Sequence, residues 1–241
     1  MLSFLSRPVS WLIAAAGLML AGMTAFVVFQ PVKVIPRMAD GPPYALTDQE
    51  GQLVSDRTQA GRLTLFGFGT SGDFTGRLEQ TIADFKALEA ALAAEGGGSE
   101  LDLALILYDE ARDTREARQT LAQAHDAGNW LLLGGPDPDV KRVIGQGFGV
   151  YYEAVPAADL LVSRPELRER FDAEPAPGEV AYLQAERYIL VDEQNIIRAE
   201  YKAPLDIDIA VRDVNMIIRE RESTGAERVV NEAAHLFLCY P

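Results

Sequence analysis

The chain has 241 residues, 48% of them hydrophobic, which is enough to bury a substantial core and excludes a disordered protein. Its 36 acidic against 22 basic residues give a formal charge of −14, so nucleic acid and anionic surfaces are repelled on average. A single cysteine, Cys239, rules out an intrachain disulfide and a thiolate metal cage.

From Val9 to Phe29 the chain runs 21 residues without a charge, and at about 1.5 Å per residue such a helix crosses a ~30 Å hydrocarbon core. The segment reads as a transmembrane anchor behind a short flank, residues 1–8. A cleaved signal peptide is the competing reading, and the string LMLAGM has Met23 where a lipidated cysteine would stand. Arg7 on one side faces Lys33 and Arg37 on the other, so charge alone does not set the orientation. Residues 30–43 hold four prolines in fourteen positions and suit an extended tether.

The folded domain is expected over residues 44–222. Two short segments around Glu50-Gly51 predict a hairpin, and Arg62 to Phe68 predicts a buried strand. Leu78, Ile82, Phe85, Leu88 and Leu92 form a helical stripe that ends at a glycine run. Leu101 to Tyr108 reads as a second buried strand, followed by a helix from about Thr114 to His125. Alternating strand and helix implies an α/β sheet with parallel pairs. A short helix carries Val140, Val143, Ile144 and Phe148 on one side. Residues 153–180 form an excursion in which Ser163 to Glu166 matches a capping box. Strand, turn at Asp192 to Asn195 and strand follow, then a helix with Ile207, Val211, Val214 and Ile218 on one face.

These strings, in this order, resemble the Sco/SenC family of membrane-anchored, thioredoxin-fold proteins that help assemble the copper site of cytochrome oxidase. GRLTLFGFGTSGDFTG stands where that family has a strand followed by F-G-Y-T-x-C-P-D-x-C-P. YDEARDTREA resembles V-D-P-E-R-D-T-P-E, and WLLLGGP and GFGVYY resemble W-x-x-L-T-G and F-G-V-Y-Y. The resemblance implies a thioredoxin-like α/β domain with an N-terminal transmembrane helix, and leaves residues 223–241 as a helical extension.

The same resemblance places Ser71 and Thr75 at the two cysteine positions, with Gly72 and Gly76 replacing the prolines and only Asp73 retained. Counting eight residues back from Asp192, as the family's histidine requires, reaches Gln184. Cu(I) prefers thiolate, thioether and imidazole to hydroxyl and amide oxygen, and a hydroxyl cannot exchange a disulfide. The expectation is therefore no metal, no cofactor and no catalysis at this turn, with Asp73 and Phe74 available as contacts.

Several other readings stay open. Ser71 could act as a hydrolase nucleophile, although no histidine lies near it in sequence. A copper chaperone or thiol oxidoreductase with unusual ligands is the main alternative. Thr75 or Asp73 is expected to cap the following helix. Gly67, Gly69 and Gly72 match G-x-G-x-x-G, a weak dinucleotide signature here. The charged run Asp109 to Glu116 reads as solvated surface fixed by Arg112. In the extension, Val229, Val230, Ala233, Phe237 and Leu238 predict an apolar face that packs on its own domain or docks on a partner. The expected setting is the inner membrane of a bacterium, with the domain in the periplasm and an integral respiratory complex as partner.

Overall fold

A computed structural model describes residues 7–29, 34–72, 75–96, 100–170 and 175–237. They fall into two compact units, Arg37–Asn215 and a second made of Met1–Pro36 with Met216–Pro241.

In the larger unit the elements are β1 (Ala39–Asp40), β2 (Ala45–Thr47), β3 (Leu53–Ser55), β4 (Leu63–Gly69), α2 (Arg77–Ala94), β5 (Leu101–Leu107) and α3 (Arg115–Ala124). Then come β6 (Leu131–Leu133), α4 (Asp137–Lys141), a π-helical turn (Arg142–Gly147), β7 (Tyr152–Pro156), α5 (Ala157–Ser163) and a 3₁₀ turn (Pro165–Arg170). β8 (Val180–Gln184), β9 (Arg187–Val191), β10 (Ile196–Lys202) and the start of α6 (Ile207–Glu222) complete it.

The main sheet has the order β1-β10-β9-β4-β5-β6. β4, β5 and β6 are parallel, while β9 runs antiparallel to β4. Every residue of β4 is buried, as a continuous apolar run covered on both faces requires. Its period of two divides the core. Phe66 and Phe68 point to a cluster with Tyr44, Leu46, Ile106, Val143, Ile144 and Phe148. Gly67 faces α2 instead, where a Cβ would lie 2.9 Å from Thr81 Cγ2 and 3.0 Å from Phe85 Cζ, so its missing side chain lets helix and strand approach. The expected stripe of α2 is buried as read, together with Thr81 and Asp84. Asp84 accepts from Tyr188 Oη (2.7 Å) and Leu205 N (2.8 Å), tying α2 to β9 and to the segment that enters α6.

The expected hairpin is β2–β3, and the Asp192–Asn195 turn joins β9 to β10 with Asn195 at φ +60°. The excursion differs from the expectation. Its ends form a separate antiparallel ladder, β7–β8, and Ser163 closes α5 by donating its hydroxyl to Leu160 O (2.9 Å) instead of opening a capping box.

In the smaller unit, α1 spans Arg7–Phe29 and α7 spans Gly225–Phe237. Among the described residues no helix is long and apolar enough to cross a membrane. The anchor expected over Val9 to Phe29 includes Met23 and residues 25–29, whose side chains lie outside the described residues. α7 turns back on the last turn of α6, with Asn231 Nδ2 donating to Ser223 Oγ (3.0 Å) and His235 Nε2 lying 2.7 Å from Glu220 Oε1. Among its described side chains the buried positions are Asn231 and Ala234, whereas Val229 is 69% exposed and Val230 half-buried. The side chain of Phe237 and all of Leu238 lie outside the described residues.

Candidate functional site

The site lies in the larger unit, at the C-terminal ends of β4 and β5. β4 ends at Gly69, and the turn that follows delivers Ser71 next to Asp113, in the loop after β5. One carboxylate oxygen of Asp113 accepts from Ser71 N (2.7 Å) and Ser71 Oγ (2.5 Å), and the other accepts from Asp109 N (2.9 Å). The nearby Thr70 hydroxyl accepts from Gly72 N (3.2 Å). Asp113 is 3% exposed, and burial pushes its carboxyl above the usual range although these donors pull it back.

The Asp109–Glu116 run is thus not a solvated surface throughout. Asp109, Asp113 and Arg118 are buried, and Arg118 donates to Asp113 O (2.8 Å), Asp48 O (3.2 Å) and Thr47 Oγ1 (3.3 Å). Burial lowers the Arg118 pKa, opposed by the nearby Asp113 and Asp48 charges. Thr114 caps α3 by accepting from Ala117 N (3.2 Å), and Arg112 donates to Val180 O (3.0 Å). The sequence signal that could have exposed this hub was Asp109 and Asp113 four residues apart, a spacing at which one carboxylate can accept the other's backbone amide.

Gln184 ends β8 and spans the ends of two strands. Its Nε2 donates to Phe68 O (2.8 Å), and its Oε1 accepts from Tyr108 Oη (2.5 Å). Thr75 and Gln184 line one cleft of about 200 Å³, together with Arg77, Gln80, Glu186, Arg187 and Tyr188. Ser71 is not part of that lining; it faces Asp113. Asp73 and Phe74 lie outside the described residues.

One expectation, that Thr75 caps α2, needs correction. α2 begins after Gly76, which has left-handed φ +78° and itself holds the N-cap position, so Thr75 does not; Asp73, the other candidate cap, lies outside the described residues. Gly67, Gly69 and Gly72 do not form a phosphate loop either. The first two lie within β4, and a Cβ on Gly72 would sit 2.5 Å from Arg112 Cδ, so that glycine admits the arginine.

Ser71, Thr75 and Gln184 together offer two hydroxyls and a carboxamide, and the Ser71 hydroxyl and both polar atoms of Gln184 are already hydrogen-bonded. This donor set does not fit Cu(I). Among the described residues no three His, Cys, Asp or Glu side chains gather to hold any metal ion.

The Ser71–Asp113 contact gives a pH-dependent expectation. A carboxyl whose folded pKa is raised takes up protons on folding, so its contribution is fully favourable below its unfolded value and is lost as pH rises through the folded one. Ser71→Ala removes a donor that favours the ionised form. It should cost about 1–3 kcal/mol at neutral pH, shrinking as the pH falls towards about 4. Urea unfolding of both proteins at the two pH values checks this, and an equal cost at each would mean that the bond does not favour the carboxylate.

The SCO1/SenC family model matches residues 34–165. Among solved structures, Bradyrhizobium japonicum ScoI with copper bound is similar at TM-score 0.58 and 20% identity, covering 73% of this chain and 98% of that one. Arabidopsis thaliana ScoI with copper bound aligns at TM-score 0.58 and 17% identity, covering 75% and 99%. Yeast Sco1 aligns at TM-score 0.57 and 17% identity, covering 75% and 98%. Among curated proteins none matches the sequence significantly.

Proposed function

The chain belongs to the SCO1/SenC family, and on that premise we propose that it is a non-catalytic, membrane-anchored binding module, an accessory subunit or assembly factor of a cytochrome-oxidase-type respiratory complex. The observation that carries this reading is Gln184. The position that the family resemblance assigns to a ligand is occupied by an amide whose donor and acceptor are both spent inside the domain. Ser71 likewise gives its hydroxyl to Asp113, a buried carboxylate that also accepts backbone amides, an arrangement that holds a turn.

The test is a Cu(I) competition titration against a chromophoric chelator. The expected result is no stoichiometric retention by the full chain in detergent. Retention abolished by changing Cys239 would revive the chaperone reading.

The anchor reading rests on the uncharged stretch from Val9 to Phe29 and on exposure along it: Trp11 is 75% exposed and Leu18 78%. Apolar surface of that extent calls for a lipid or protein cover. With the anchor in the inner membrane and the domain in the periplasm, the extension provides a second contact, and two linked contacts gain affinity through effective concentration. Deleting residues 223–241 should weaken co-purification with the complex while leaving the protein in the membrane. Undiminished co-purification would move the contact to the face around residues 71–76.

A further inference from the structure

The β7–β8 ladder is not part of the main sheet; it forms a sheet of its own. It also has its own small core, in which Ala157, Leu160 and Ala181 pack with Val155, Leu167 and Leu183. Its aromatic side also packs on the main core through Tyr152, Tyr182 and Ala185, and specific side-chain contacts fasten it to the rest of the unit. Arg112 donates to Val180 O (3.0 Å) and Arg77 to Gln184 O (2.6 Å), so both ends of β8 have a carbonyl held by an arginine. Tyr108, at the end of β5, stacks on Tyr152 of β7 with centroids 4.6 Å apart and meets Tyr182 of β8 edge-on at 5.0 Å. At the centre, the Gln184 amide bridges Phe68 O and Tyr108 Oη.

We infer that β7, α5 and β8 form a hinged cover over the C-terminal ends of β4 and β5, held shut by a polar clamp centred on Gln184. A segment with its own core and no backbone ladder to the main sheet can open as a unit while the sheet stays folded. Opening frees a carbonyl that seeks a donor and a hydroxyl that seeks an acceptor, a pair that a primary carboxamide satisfies as Gln184 does. The cover thereby controls access to that pair, and this holds whether or not the chain binds copper.

Hydrogen exchange of the full chain in detergent, read by mass spectrometry, tests the clamp. In Gln184→Ala, protection of residues 152–156 and 180–184 should fall about tenfold or more, with β4, β5 and β9 unchanged. Gln184→Glu adds a readout that a general packing defect would not give. As a carboxylate it can only accept, so it faces Phe68 O without a donor and should open the cover at neutral pH. Below about pH 4 the protonated acid donates again and protection should return towards wild type, compared at the same pH. Equal loss of protection in all strands, unchanged protection in β7 and β8, or a Gln184→Glu defect independent of pH would each overturn the inference.

Discussion

Arg198→Ala should cost about 3–5 kcal/mol of stability, a large share of the roughly 5–15 kcal/mol that holds a domain together. Arg198 and Asp192 pair at 2.9 Å with side chains only 3% and 1% exposed, in the hairpin that joins β9 to β10. The other oxygen of Asp192 accepts from Gln194 N and Ile196 N, both at 3.0 Å, so the carboxylate organises the turn while the guanidinium neutralises it. Truncating the arginine leaves a charge in a place that water does not reach, and the penalty is that stranded charge more than the lost bond. The control is therefore the double variant Asp192→Asn with Arg198→Met, which should recover a good part of the loss. Denaturant titration of the three proteins measures it. If the double variant is as damaged as the single one, the pair's value lies in the turn's hydrogen bonds and not in its charge balance.

What could be read in the sequence follows from how each element is stabilised. β4 and β5 are covered on both faces, so their apolar runs announce themselves, and the stripe of α2 matches a helix with one buried side. β7 gives no such signal. Its burial alternates poorly, with Glu153, Ala154 and Pro156 exposed, and its partner β8 lies more than twenty residues on, past α5. Propensity cannot find a strand whose reason for being is a distant one. The start of α2 misled for a different reason: Thr75 looked like a cap, but Gly76 holds the N-cap position in the left-handed conformation that only glycine adopts readily. The candidate site was half legible. Which residues stand where the resemblance expects sulfur and imidazole could be counted along the chain; that Gln184 has partners at the ends of two strands needed coordinates.

The triple variant Ser71→Cys, Thr75→Cys, Gln184→His should bind Cu(I) stoichiometrically in the same competition titration where the natural chain is expected to retain none. Thiolate and imidazole are the donors that Cu(I) prefers, and they would be restored on a scaffold that keeps the fold. Thr75 and Gln184 already line one cleft, and Gln184 already reaches Phe68, three residues before Ser71. Each single variant should fail, because one soft ligand lacks its partners. The triple variant also has to break two existing commitments: Ser71→Cys gives up the hydroxyl bond to Asp113, and Gln184→His gives up at least one of the two bonds of the amide. Some stability should therefore be lost without metal and regained with it, since a ligand that binds only the folded state stabilises it by mass action. A rise in melting temperature on adding Cu(I), present in the triple variant and absent in the natural chain, separates this from adventitious binding. A triple variant that folds and still retains no copper would mean that the backbone around Gly72 and Gly76, where the resemblance has prolines, has moved the three positions apart, and that the chain lost the geometry of the site along with its ligands.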